Sequence, residues 1–309
     1  MKTVLITGAA GTIGKKVIKY LLIEGKYNII AVDLKTRHNR HVLGKYKKRI
    51  EALYADITND AKFEETLKKC DYVIHLAGVM PPLADLNANL SYEGDYKGTE
   101  KIVRVLNFFN PKCHLLYASS TCIYGPQKNE EISVNAKIEE ESLSPYAKTK
   151  LDSEKLIKEK LNNYSIYRLP VVLTNPIEEN YIFSYKSSDK FEVVSEEDAG
   201  YMFSRAIDKI EELNKKTFNV GGGESCITTG SKLNKDILKT FGLSSKYLKT
   251  KMFIDKNFYS YIYKDSNKLD EILSFRNDSI DSYFLRAKRK GKNYYLRKLL
   301  GKLFYQNKK

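Results

Sequence analysis

Tyr146 and Lys150 stand four residues apart in a segment, 145–161, whose apolar spacing is helical, so the two side chains share one helical face. A tyrosine phenol ordinarily titrates near about 10, too high for a base at neutral pH. A lysine ammonium beside it favours the phenolate. Such a pair can take the proton of a substrate hydroxyl if a third group orients that hydroxyl. Ser120, at the end of an apolar strand-like run, can do so by hydrogen bonding. Its neighbours Ser119 and Thr121 are the alternatives. With 23 tyrosines and many lysines, the chain would also place a Tyr and a Lys at this spacing by chance, so the pair needs a scaffold around it.

A scaffold begins at the N-terminus. Thr7-Gly8-Ala9-Ala10-Gly11-Thr12-Ile13-Gly14 lies between the apolar run Thr3–Ile6 and a helical pattern at 12–22, with Gly25 as its stop. Glycines let a backbone approach a pyrophosphate, and the next helix offers it unpaired N–H groups and a partial positive charge. The spacing is G-x-x-G-x-x-G rather than G-x-G-x-x-G. An acid, Asp33, ends the second apolar run, 19 residues after Gly14. Its carboxylate can accept from both adenosine ribose hydroxyls and repels a 2′-phosphate, which favours NAD over NADP. Lys35 and Arg37 just beyond it oppose that preference. The positive charge of an oxidised nicotinamide would further favour the Tyr146 phenolate.

Strand-like runs recur at 28–32, 52–54, 72–74, 114–117, 165–167 and 217–220, with helical patterns at 61–69, 92–109, 145–161 and 197–213. Apolar strands alternating with helices predict a Rossmann-type α/β fold: a doubly wound parallel sheet covered on both faces, with a small C-terminal substrate lobe. The expected division is an NAD-binding domain over 1–170, to which the chain returns at about 196–222. The substrate-binding lobe takes 171–195 and 223–285, and 286–309 is a basic amphipathic tail.

These residues together resemble the extended short-chain dehydrogenases/reductases, the NAD-dependent epimerase/dehydratase family, over about 1–285. The landmarks are the Gly8/Gly11/Gly14 loop, Asp33, Asp56-Ile57, His75-Leu76-Ala77-Gly78, Gly98-Thr99, Ser119-Ser120 with Tyr124-Gly125, Tyr146-x-x-x-Lys150 and Arg168-Leu169-Pro170. The resemblance implies an enzyme that passes a hydride between NAD and a hydroxyl-bearing carbon of a sugar, including nucleotide sugars. It assigns catalysis to Ser120, Tyr146 and Lys150. It assigns cofactor binding to Gly8, Gly11, Thr12, Ile13, Gly14, Asp33, Leu34, Asp56, Ile57, Leu76, Ala77, Gly78, Asp95, Pro170 and again Tyr146 and Lys150. It selects Ser120 over Ser119, and makes His75 a structural strand-end residue. Homodimers pairing the helices at 92–109 and 145–161 are common in this family.

Three departures narrow the chemistry. Thr121-Cys122 stand where sugar dehydratases carry an Asp-Glu pair, which disfavours dehydration. Asp95 replaces the usual Asn; an ionised Asp accepts hydrogen bonds but cannot donate them. The insert between Pro170 and Glu196 is short, with Lys186 and Lys190 as its only cations, so no bidentate arginine clamp for a substrate diphosphate is visible. Two further readings therefore stay open: a simple alcohol or sterol-like dehydrogenase on the same scaffold, and a non-catalytic dinucleotide sensor.

Composition bounds the rest. The formal charge is +15, but ten Lys or Arg and no acid lie between Arg286 and Lys309, which leaves +5 for the first 285 residues. No nucleic-acid partner is expected from so uneven a charge. Cys70, Cys113, Cys122 and Cys226 show neither C-x-x-C spacing nor pairing with histidines, so neither metal nor disulfides are expected. Cys122 reads as a packed thiol near the site. The glycine-broken start, 1–16, does not read as a signal peptide, and no apolar run reaches the roughly 20 residues of a membrane span. The expected location is cytoplasmic. Leu296, Leu299, Leu300, Leu303 and Phe304 share a helical face opposite Arg297, Lys298 and Lys302, a pattern suited to peripheral contact with an anionic membrane through 292–309, or to docking on the protein itself.

Overall fold

The computed structural model describes residues 1–174, 186–240 and 259–290; the proposed membrane-contact segment, 292–309, lies outside them. A seven-stranded parallel sheet forms its centre, from β1 (Lys2–Thr7), β2 (Tyr27–Asp33), β3 (Glu51–Tyr54), β4 (Tyr72–His75), β5 (His114–Ser120), β7 (Tyr164–Leu169) and β10 (Lys216–Asn219). The short β6 (Glu131–Ile132) precedes β7 outside this sheet. Strand order is β10-β7-β5-β4-β1-β2-β3. The chain runs outward from β1 through β2 and β3, then crosses back to β4 on the other side of β1. That reversal opens a crevice at the carboxyl ends of β1 and β4, where open α/β sheets bind ligands.

Apolar side chains on both sheet faces require cover on both. One face is covered by α1 (Thr12–Glu24), α2 (Arg37–Gly44), α8 (Glu196–Ala206) and α9 (Ile210–Leu213), with α11 (Asn267–Leu273) completing the core around Val17, Leu21, Met202 and Phe203. The other face carries α3 (Ala61–Leu67), α6 (Lys97–Phe109) and α7 (Pro145–Lys160), packed on Leu5, Val73, Leu115 and Ile166. Local chemistry sets the helix ends. Gly25 closes α1 in the left-handed region, and the side chains of Thr36, Asp60, Ser144 and Ser195 cap α2, α3, α7 and α8. The acidic start Glu196-Glu197-Asp198 suits the positive end of α8.

Two helical segments differ from the sequence expectation. The 92–109 pattern is not one α-helix: a π-helical turn, Tyr92–Tyr96, precedes α6 and follows the short helices α4 (Leu83–Leu86) and α5 (Ala88–Ser91). The 197–213 pattern breaks into α8, a 3-10 turn at Ile207–Lys209, and α9.

Beyond the main sheet, β8 (Val171–Leu173), β9 (Lys190–Ser195) and β11 (Ile227–Thr229) form a small sheet in the order β11-β9-β8. It packs with α10 (Gly230–Thr240) and α12 (Ile280–Lys290) around Phe191, Val193, Leu233 and Tyr283. A two-stranded pair, β6 with β12 (Ile262–Tyr263), lies over Ile123, Tyr124 and Leu151. The smaller elements do not follow the expected segments strictly: β6 comes from within 1–170, α12 runs to Lys290, and α11, inside 223–285, packs on the central core.

Candidate active site

A cavity of about 730 Å³ occupies the crevice, and every site residue named from the sequence lines it. At one end is the glycine loop. Gly8 has φ +65°, and a Cβ there would lie 2.8 Å from the Ala77 backbone nitrogen, so loop and β4 terminus meet at a distance only glycine allows. No side chain caps the amino end of α1, whose N–H groups are left for an anion. Beside it, Asp33 Oδ2 accepts from the Ala10 N–H at 2.9 Å, and Oδ1 from the Leu34 N–H and Asn39 Nδ2, each at 2.8 Å. Lys35 and Arg37 are exposed and do not line the cavity; His38 and Asn39 do. This cradle fits a dinucleotide whose adenosine ribose has free hydroxyls. Asp56 folds back on its own turn, accepting from the Thr58 N–H and hydroxyl at 2.9 and 2.7 Å.

The other end holds Ser120, Tyr146 and Lys150, all buried. Ser144 caps α7 with Pro145 at its first position, which sets Tyr146 and Lys150 one turn apart facing β5. Lys150 Nζ lies 5.8 Å from the Tyr146 ring centre and donates to the Ala118 carbonyl at 3.3 Å. The Tyr146 hydroxyl points at the Met80 sulfur, 3.7 Å away. Burial pushes the Tyr146 phenol above its ordinary value, and the Lys150 charge opposes this only in part. The expectation that Lys150 favours the phenolate is right in sign, but in the chain alone burial outweighs it.

The two serines differ in their partners. Both border the cavity, but the Ser119 hydroxyl is spent on Glu154, to which it donates at 2.6 Å, whereas the Ser120 oxygen accepts from the Cys122 N–H, at 3.2 Å. Glu154 is in turn held by Arg168, through Nε at 2.9 Å and Nη2 at 2.8 Å. Arg168 Nη1 also donates to the Tyr124 hydroxyl and the Val134 carbonyl, each at 2.8 Å. This buried network pins β5, α7 and β7 beneath the reactive groups.

His75 is structural. The Thr99 hydroxyl donates to the Asp95 carbonyl at 2.7 Å and can then accept from His75 Nε2 at 3.0 Å. Nδ1 therefore accepts from Thr7, at 2.7 Å, and the ring stays neutral because burial pushes its pKa down to about 3. The Cys122 thiol borders the cavity, and burial pushes it up to about 11, so it is no thiolate. Among the described residues no His/Cys/Asp/Glu cluster could hold a metal, and no helix is long and apolar enough to cross a membrane.

Sequence reasoning missed His38, Asn39, Met80, Val172, Thr174 and Tyr259 in the cavity wall. Asn39 carried a readable signal, an amide six residues beyond Asp33. Met80 and Tyr259 arrive only through the tertiary fold.

Comparison with known proteins agrees with this fold. The D-erythronate dehydrogenase of Haemophilus influenzae is 26% identical over 209 residues, covering 63% of this chain and 63% of that protein. A UDP-glucose 4-epimerase of Arabidopsis thaliana is 29% identical over 168 residues, covering 51% and 47%. The chain thus spans from about half to just under two thirds of these curated relatives. In fold it is similar to UDP-glucose 4-epimerase from Bifidobacterium longum, solved with NAD+ and UDP (TM-score 0.77, 18% identity, 95% and 100% coverage). It is likewise similar to UDP-glucuronic acid 4-epimerase from Bacillus cereus (TM-score 0.75, 19% identity, 96% and 99% coverage). The family model of the NAD dependent epimerase/dehydratase family matches residues 4–180, more than half the chain, and the chain belongs to that family.

Proposed function

We propose that this chain is an NAD-dependent oxidoreductase or epimerase acting at a hydroxyl-bearing carbon of a sugar or related polyol, with Tyr146 as the base. The observation that carries this is the convergence of Ser120, Tyr146 and Lys150 at one end of a cavity whose other end is the Gly8–Gly14 loop and Asp33. Gly8, Gly11, Thr12, Ile13 and Gly14 would hold the pyrophosphate, and Asp33 the adenosine ribose. Leu34, Asp56, Ile57, Leu76, Ala77, Gly78, Asp95 and Pro170 would line the cofactor's length. When bound, NAD supplies the hydride acceptor. Ser120 holds the substrate oxygen, and Tyr146 Oη takes its proton as the carbon gives up hydride. Lys150 stabilises the phenolate that must form first, against the burial that favours the phenol. A non-catalytic sensor would have no need of this complete set.

A hydroxyl-bearing apolar substrate is the second reading. Met80, Pro81, Val171, Val172 and Tyr259 line the substrate end, and among the described residues no arginine lines the cavity. A nucleotide-sugar diphosphate finds no guanidinium clamp in that set.

Tyr146→Phe tests the mechanism: turnover is lost and cofactor binding retained, and full activity would sink the assignment. A screen across sugar nucleotides, free sugars and hydroxy-lipids, reading both NADH and product, separates the two substrates. It also separates net oxidation, which accumulates NADH, from epimerisation, which returns NAD+. The same proposal takes the lobe segments 171–195 and 223–285 as substrate-binding, and a homodimer as pairing α6 with α7. Peripheral membrane contact through 292–309 is tested by liposome co-sedimentation against a chain ending at Gly291; equal binding would discard it.

A further inference from the structure

Asp95 is 1% exposed, lies on the π-helical turn ahead of α6, and lines the cavity at its reactive end. One carboxyl oxygen, Oδ1, accepts from the Val79 N–H. The other, Oδ2, is buried with no hydrogen-bond partner. An uncompensated buried carboxyl oxygen is costly unless a ligand meets it or a charge offsets it. The nearby charge is Lys150. Asp95 Oδ1 and Lys150 Nζ approach the same point of the cavity wall, 3.1 and 3.3 Å from where a Cβ on Gly78 would stand. Among the described residues no direct ion pair joins them, and both side chains border the cavity.

We propose that Asp95 is a specificity-determining residue for the oxidation state of the cofactor: its carboxylate offsets Lys150 and tilts the site towards NAD+ over NADH. The inference rests on the proposal that this cavity holds NAD. The oxidised nicotinamide ring carries a positive charge and the reduced ring none. Lys150 alone would disfavour the oxidised form, by a Coulomb effect that a water-poor cavity strengthens. A carboxylate at the same wall offsets that bias. A neutral amide in its place would leave Lys150 unopposed. Burial raises the carboxyl's pKa on balance, and the Lys150 ammonium and the Val79 N–H oppose this only in part. The single π-turn gives this placement a structural origin, since inserting it shifts which side chain of the segment faces β4 and α7. An enzyme whose first act is to remove a hydride gains by holding the oxidised cofactor ready.

The test needs no substrate. NADH binding is read from its own fluorescence, against little background in a chain with no Trp, and NAD+ binding by displacement. For Asp95→Asn the ratio Kd(NAD+)/Kd(NADH) should rise on the order of tenfold. For Lys150→Met the same ratio should fall, although both affinities weaken. An Asp95→Asn protein that binds both forms with a ratio within about twofold of wild type overturns the proposal. If Asp95→Asn binds neither, Lys150→Met decides: a falling ratio supports the charge balance, and an unchanged or rising one overturns it. Wild-type protein that binds neither form would defeat the NAD assignment itself, a result distinct from an unchanged ratio.

Discussion

Glu154 and Arg168 form a two-point ion pair in the interior, with side chains only 1% and 5% exposed, directly beneath the strand that ends in Ser120. The carboxylate is fully engaged: it also accepts from Ser119 and from Lys158 Nζ, at 2.6 and 3.1 Å. Removing one partner of such a pair leaves the other charge buried and unmatched, so Glu154→Gln should cost about 3–5 kcal/mol in urea unfolding. Burial alone would raise the Glu154 pKa, but the hydrogen bonds and charge of Arg168 outweigh it and the net shift is downward. The pair's contribution is therefore complete above the unfolded carboxylate value of about 4.3 and is lost as pH falls through the lower folded value. Unfolding midpoints equal to wild type at neutral pH would show that the network does not hold the sheet to α7.

The two adjacent serines give a sharp kinetic contrast. Ser120→Ala removes the hydroxyl that lines the cavity and should lower kcat by about 100-fold, the lower range for a positioned proton-transfer partner. Ser119→Ala leaves Glu154 with its arginine bonds and should change kcat only a few-fold, with a stability loss of about 1 kcal/mol. Steady-state kinetics and thermal unfolding on both variants decide it. A greater kcat loss in Ser119→Ala would reverse the assignment.

What could be read in the chain beforehand divides along physical lines. The glycine loop, Asp33 and the Tyr146/Lys150 pair were legible because their geometry is local: a turn, a strand end, one helical face. The strand–helix alternation was legible because both faces of a parallel sheet must be apolar. The π-turn at Tyr92–Tyr96 was not, since an inserted residue leaves the apolar pattern of the following helix intact. Nor was the turning of Ser119 towards Glu154, 35 residues away, which only the packing of α7 on β5 creates. The resistance of Tyr146 to ionisation arises from burial, which a sequence pattern does not report.

Gly14 offers a test of the loop that leaves the reactive end untouched. A Cβ there would stand 2.4 Å from the Gly8 carbonyl oxygen and 2.7 Å from Ala9 Cα, both backbone atoms that cannot swing aside. Gly14→Ala must push the loop away from α1. Overpacking of this kind costs about 1–3 kcal/mol of stability. The greater consequence is expected in NADH titration, where affinity should fall by about 100-fold as the N–H groups lose their common focus. A variant that binds NADH as tightly as wild type would separate the loop from the phosphate site.

Asp33 should govern the choice between NAD and NADP through the three donors that now point at it. The Ala10 and Leu34 N–H groups and the Asn39 amide all converge on its carboxylate. While the carboxylate is present, a 2′-phosphate meets its negative charge and finds those donors taken. In Asp33→Ser the charge is gone and the donors are freed for an anion, with the exposed Lys35 and Arg37 close by in sequence. NAD affinity should fall as its ribose loses an acceptor, and NADP affinity should rise, shifting the NAD/NADP affinity ratio towards NADP by about tenfold or more. Parallel titrations with NADH and NADPH measure this directly. If the ratio does not move, discrimination must reside elsewhere along the cavity, and Asp33 would be reduced to a residue that shapes the loop between β2 and α2.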